Sequence, residues 1–256
     1  MQIMSQSYAI RLITIILASC VACATMAQQE ADDAQAQELI EHADRIRFPG
    51  ESFQVDVAVS NRSAGTAGES WKYRVLSKGN DNTVVMVVEP AAERGQIILM
   101  KGRDLWVFLP SVSQPVRLSM AQRLTGQVAN GDLARANFAG DYTARRLRVD
   151  AIDGARYQVL ELTAKDRGVT YHRVLYWIAE GSHAPYKAEF YALSGRLLKT
   201  GRYEKYQKLL GRSRPTRLVF TDALRPGEES VLDYAEMKLR DLPDKLFTKE
   251  YLKKLE

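Results

Sequence analysis

Hydrophobic and polar residues alternate along most of the chain after residue 50. Phe53, Val55, Val57 and Val59 fall on one strand face, and Trp71, Tyr73 and Val75 on another. The two runs predict an antiparallel pair, 53–59 against 71–76, joined by a turn or loop over 61–68. The nearly continuous apolar stretches 83–88 and 97–100 read as strands. A second run, 105–109, returns after Lys101-Gly102 as a hairpin, and Pro110 ends it because proline has no donor for a ladder. Further strands follow at 144–149, 157–163, 169–178, 186–191, 197–206, 218–221 and 230–239, separated by turns such as Asp153-Gly154 and Ser194-Gly195. Helical spacing occurs at the two ends. Ala36, Leu39, Ile40, Ala43 and Ile46 make one stripe over 30–47, stopped by Phe48-Pro49-Gly50, and 246–255 carries Phe247, Tyr251, Leu252 and Leu255.

About eleven strands in meander order behind one long helix do not form a βαβ pattern. They predict a mainly β domain, an incomplete antiparallel β-barrel curled around the N-terminal helix. Segment 110–142 breaks the rhythm. It is too polar for core and too apolar for a free linker, and it holds Arg117, Arg123, Asp132, Arg135 and Asp141. A sheet protein that places so long a connection between strands usually uses it, here as a partly helical lid.

Composition adds the compartment. The first residues are uncharged up to Arg11, then apolar over 12–17, then small through Ala27. That is a secretory signal peptide over 1–27, followed by one domain over 28–256. Leu17-Ala18-Ser19-Cys20 offers a second outcome, a periplasmic lipoprotein acylated at Cys20. The short apolar core before Cys20 favours cleavage near Ala27. Both cysteines lie in this segment, so the cleaved form has no disulfide or thiolate chemistry. The net charge of +5 is spread along the chain without a basic run, which argues against nucleic acid as a partner.

The sequence carries little that reads as catalysis. His42, His172 and His183 match no metal-ligand spacing, so no metal or cofactor is expected. There is no nucleophile elbow and no phosphate loop. Asp132 and Asp141 follow glycines and read first as turn or cap residues, with acid/base work as the alternative. The strands are rich in large apolar side chains, and a sheet around a single helix can leave an apolar cavity.

Several stretches resemble the outer-membrane lipoprotein-sorting-like family, the proteins related to the periplasmic carrier LolA. They are EPAAERGQIILMKGRDLWVFLPS (89–111), QRLTGQVANGDLARANFAGDY (122–142), LYWIAEGSHAPYKAEFYALSGRLLKTGRYEKY (175–206), RPTRLVFTDAL (214–224) and VLDYAEMKLRDLPDKLFTKEYL (231–252). They look most like the branch often encoded beside RND/MMPL-type exporters. The resemblance implies a non-enzymatic, periplasmic, monomeric carrier. Its ligand would be a lipid, acyl chain or lipoprotein, and its partner an RND/MMPL-type exporter. A lipid- or lipoprotein-sensing regulatory module is the alternative, and a hydrolase a distant one. Trp106, Phe108, Trp71 and Tyr191 are the expected apolar wall or rim. Arg94, Arg123, Asp132 and Asp141 are the expected rim or lid. Trp106 and Phe108 share one strand face and Leu105, Val107 and Leu109 the other. Alternation alone leaves open which face lines the cavity.

Overall fold

The computed structural model of the protein describes residues 30–79, 81–112, 114–135 and 137–252. The expected signal peptide, with its cleavage near Ala27 and the Cys20 alternative, lies outside the described residues. Helix α1 spans 30–47. Ala36, Ile40 and Ala43 on it are buried, and so are Asp44 and Arg47. Positions 36, 40, 43 and 47 fall on one helical stripe, so the apolar face runs on into a buried charge at its C-terminal end.

The strands are β1 (Phe53–Ser63), β2 (Thr66–Lys78), β3 (Asn82–Glu89), β4 (Ile97–Lys101), β5 (Asp104–Phe108), β6 (Val116–Leu118), β7 (Arg123–Thr125), β8 (Val128–Ala129), β9 (Tyr142–Ile152), β10 (Ala155–Ala164), β11 (Arg173–Ala179), β12 (Pro185–Tyr191), β13 (Leu197–Leu209), β14 (Arg212–Asp222) and β15 (Glu228–Leu239). The expected pair forms antiparallel, with Val57 opposite Tyr73 and Val59 opposite Trp71. Its turn is tighter than the loop read at 61–68. The ladder runs on to Ser63 and Thr66, and Ala64 and Gly65 both take positive φ, as a two-residue hairpin requires.

The barrel of about eleven strands is corrected. Among the described residues, thirteen strands form one open sheet in the order β6-β5-β4-β3-β2-β1-β15-β14-β13-β12-β11-β10-β9, and β7 with β8 forms a separate two-stranded sheet. The outer strands β6 and β9 each have one neighbour, so the sheet does not close. Alternation reports which face of a strand is buried; it carries no information on whether two edges meet. The count differs because β6, β7 and β8 are three, three and two residues long, too short for a period-two signal, and all fall in 110–142.

The order has a consequence for that segment. The first and last strands, β1 and β15, pair at the centre, and the free edges come from the middle of the chain. Residues 119–141 must therefore travel from the β6 edge to the β9 edge. They cross the face that carries α1, and Met120, Val128, Leu133 and Ala134 join the same core as Ile40, Val57, Tyr176 and Phe220. Helices α2 (Asn130–Ala134) and α3 (Phe138–Asp141) lie within this strap. The other face is covered at β2–β5 by the C-terminal segment. There Leu242, Phe247 and Leu252 pack with Leu76, Val84, Leu99 and Phe108. Strands β3 and β4 are thus covered on both sides, which accounts for their nearly unbroken apolar sequences. The expected helix 246–255 is a 3₁₀ turn (Asp244–Phe247) followed by α4 (Lys249–Leu252) within the described residues.

Candidate functional site: a cavity under the strap

Between the sheet and the first part of the strap lies a cavity of about 310 Å³. Its floor is Trp71 and Tyr73 on β2, Val87 on β3, Ile98 on β4 and Val107 on β5, with Leu109 just beyond. Register places these side chains on one face of the sheet in neighbouring rows, with Tyr73 opposite Val87 and Ile98 opposite both Val85 and Val107. Leu118 on β6, opposite Leu105, extends this face at the sheet edge, and Leu124 on β7 completes the apolar lining. The polar part of the lining is Glu93, Gln96, Gln122 and Arg123, with the buried Asn130. Trp71 Nε1 donates to Glu93 Oε1 at 3.2 Å, and Asn130 Nδ2 to the Ser119 carbonyl at 2.9 Å. The volume falls at the low end of the roughly 300–1,000 Å³ found for small-ligand pockets.

A second cavity of about 330 Å³ adjoins it through Arg123, which lines both. Its other lining includes Arg196, Lys199, Asp222, Leu198 and Leu224. A third, of about 350 Å³, lies between α1 and β10–β12 and is lined mainly by polar groups, among them Glu38, His42, Glu180 and His183. The His42 and His183 rings are 4.9 Å apart, a proximity that their sequence separation hides. Among the described residues no three His, Cys, Asp or Glu side chains gather as metal ligands.

The later half of the strap is fastened by buried charge. Lys199 on β13 donates to Asp132 Oδ2 at 2.6 Å and to the Gln127 carbonyl. Tyr171 donates its hydroxyl to Asp132 at 2.8 Å. Burial pulls the Lys199 ammonium down from its ordinary pKa, with Asp132 opposing. Burial, and then Asp132, holds the Tyr171 hydroxyl well above its ordinary pKa. Arg135 makes a two-point contact with Asp141 and also reaches the Gly102 carbonyl at 3.0 Å. From α1, Asp44 accepts the Ala139 N–H at 2.8 Å. Burial pushes the Asp44 carboxyl up to about 6, with the Arg47 guanidinium pulling the other way. At β7 and just after it the strap is tied to the sheet by Asn61 Nδ2 donating to Thr125 Oγ1 at 2.9 Å and the Gln127 N–H to Ser230 Oγ at 2.8 Å, and the stretch before β7 has fewer ties. β6 pairs with β5 over three residue pairs, and the Arg117–Asp104 contact is exposed.

Similarity to known proteins agrees with this architecture. A family model described as "Uncharacterized protein" matches residues 79–254. No curated protein matches the chain. A crystal structure of a LolA superfamily protein from Nitrosomonas europaea is 63% identical, with a TM-score of 0.81, and the alignment covers 84% of this chain and 98% of that one. The chain belongs to the LolA superfamily. Two more distant LolA-like folds support the architecture alone. One is a DUF1329 family protein from Desulfovibrio piger and the other a putative outer membrane lipoprotein-sorting protein domain from Vibrio parahaemolyticus. Each is 20% identical with a TM-score of 0.73 over 86% of this chain and 99% of its own.

In this LolA-superfamily protein the residues singled out from sequence divide between places. Trp71 and Arg123 line the first cavity. Trp106 and Phe108 face the other side of the sheet, in the cluster under the C-terminal segment, where the Lys249 ammonium sits 3.8 Å from the Trp106 ring centre. Tyr191 is also away from the cavity; Arg173 lies 4.0 Å over its ring and Glu189 accepts its hydroxyl. Arg94 is exposed and donates to the Val88 carbonyl. Asp132 and Asp141 are buried ion-pair partners in the strap. Asp132 Oδ2 also accepts the Ala129 N–H at 2.8 Å, a helix-capping contact. Sequence reasoning missed Val107 and Leu109 as floor residues, although it placed them on one face with Leu105.

Proposed function

We propose that this protein is a non-enzymatic periplasmic carrier whose ligand places an acyl chain, or a similar apolar group, in the cavity under the strap. The observation that carries the reading is the apolar lining that Trp71, Val87, Ile98, Val107, Leu118 and Leu124 give one cavity, in a chain of the LolA superfamily. Such a site needs apolar walls and a way in, and no catalyst. Each methylene taken from water contributes about 0.8 kcal/mol, so even part of a fatty chain supplies useful affinity. Entry past β6 suits the weak fastening of the strap before β7. Among the described residues no helix is long and apolar enough to cross a membrane. The partner in this reading is an RND/MMPL-type exporter, on the strength of the sequence resemblance alone.

The test is binding of cis-parinaric acid, followed by its fluorescence. The expected result is saturable binding that weakens at least tenfold in Val107→Asp or Leu109→Asp. Trp106→Gln, on the opposite face, should leave it within about twofold. Absence of saturable binding to the wild-type protein, or equal losses from both faces, would defeat the carrier reading.

A further inference from the structure

The second cavity differs from the first in charge. Asp222, its carboxylate, is already occupied: it accepts the Leu224 and Arg225 backbone N–H groups at 2.7 and 3.0 Å and the Arg225 guanidinium at 2.9 Å. Lys199 is committed to Asp132 and the Gln127 carbonyl. Arg123 and Arg196 remain. Neither has a carboxylate or side-chain hydrogen-bond partner among the described residues. Both unpaired guanidinium groups line the same cavity, with Leu198 and the 58% exposed Leu224 as its apolar side.

We propose that this second cavity is an anion subsite for the phosphate of an amphiphilic ligand, held by Arg123 and Arg196 while the acyl chain lies in the first cavity. The inference rests on the carrier reading and narrows its ligand to a phosphate-bearing lipid. Arg123 borders both cavities, so the junction of headgroup and chain falls at that residue. Guanidinium is suited to the task because its fixed fork of N–H donors matches two phosphate oxygens at once and its charge does not titrate. Leu198 and Leu224 would then contact the ligand near its ester linkage, where an amphiphile changes from polar to apolar.

The experiment is calorimetric titration of the protein with three probes: dihexanoyl phosphatidylglycerol, uncharged dihexanoylglycerol and inorganic phosphate. The phosphatidylglycerol is expected to bind at least tenfold more tightly than dihexanoylglycerol, and inorganic phosphate more weakly than the phosphatidylglycerol. The double variant Arg123→Gln/Arg196→Gln should remove that difference, bringing the affinities of the two lipids within twofold of each other. Arg123→Lys/Arg196→Lys should restore part of it, since lysine keeps the charge and loses the fork. Both arginines are exposed, so the variants should melt with the wild type. Equal binding of the two lipids by the wild-type protein would overturn the subsite and leave the carrier reading standing. Inorganic phosphate binding as tightly as the phosphatidylglycerol would also overturn it, in favour of a free-anion site. If neither lipid binds, both readings fall.

Discussion

Lys199 and Asp132 illustrate how much a single buried contact can hold. Their side chains are 4% and 6% exposed, so removing one partner leaves the other charge without water. Lys199→Met is expected to cost about 3–5 kcal/mol. Lys199→Met combined with Asp132→Leu should cost distinctly less, because no lone charge remains. Urea denaturation of both variants measures the difference, and equal losses would mean that the contact is not a true pair. Asp44 gives the pH counterpart. Its carboxyl is pushed up to about 6 by burial, against about 4 in an unfolded chain. The folded state therefore binds this proton more tightly. The stabilisation is complete below about pH 4 and is lost as pH rises through about 6, a change of about 3 kcal/mol. The lowered carboxyls of Asp56 and Glu161 act in the opposite sense and at more acid pH. Asp44→Asn should flatten the fall in stability between pH 4 and 6, whatever it does to the absolute value. An unchanged slope in pH-dependent thermal melts would remove Asp44 from this role.

The strap is the element in which sequence and structure differ most. Its polarity and length marked 110–142 as unusual, and Asp132 and Asp141 were noticed. Their partners could not be read: Lys199 lies 67 residues from Asp132, and alternation says nothing about contacts at that range. The buried Asp44 and Arg47 were more accessible to inspection, since Arg47 extends the spacing of Ala36, Ile40 and Ala43. The two faces of β5 were legible as sets, but their assignment was not. It depends on the C-terminal segment covering Phe108, which leaves Val107 to face α1. The strap also packs closely. A Cβ on Gly131 would lie 1.9 Å from Thr170 Oγ1, so Gly131→Ala must push α2 away from the chain before β11. The expected cost is about 1–3 kcal/mol, with faster amide exchange across 119–141. Adding Thr170→Ala, which removes the nearest atom, should recover most of the loss. Failure of the second change to recover stability would place the strain elsewhere.

At the scale of the whole molecule, the topology explains why a long connector crosses the helix-bearing face and borders the cavity. Because β1 and β15 pair in the middle of the sheet, the free edges belong to the centre of the chain. The link between those edges must cross the helix-bearing face, and the cavity lies where residues 122–124 and 130 of the link meet the face of β2–β6. Arg123 is exposed at the mouth, whereas Arg135 is buried and unsuitable as a surface probe. A photo-crosslinker at position 123 in intact cells is expected to capture an envelope membrane protein; recovery of none would remove the exporter from the proposal. The central claim is that the cavity holds an apolar ligand. Native mass spectrometry of the protein isolated from its own periplasm tests it most directly. The expected spectrum contains a lipid-sized adduct that disappears in folded Val107→Asp and Leu109→Asp variants and persists in Trp106→Gln. A wild-type spectrum with only the bare chain mass, or an adduct that survives both cavity substitutions, would contradict it.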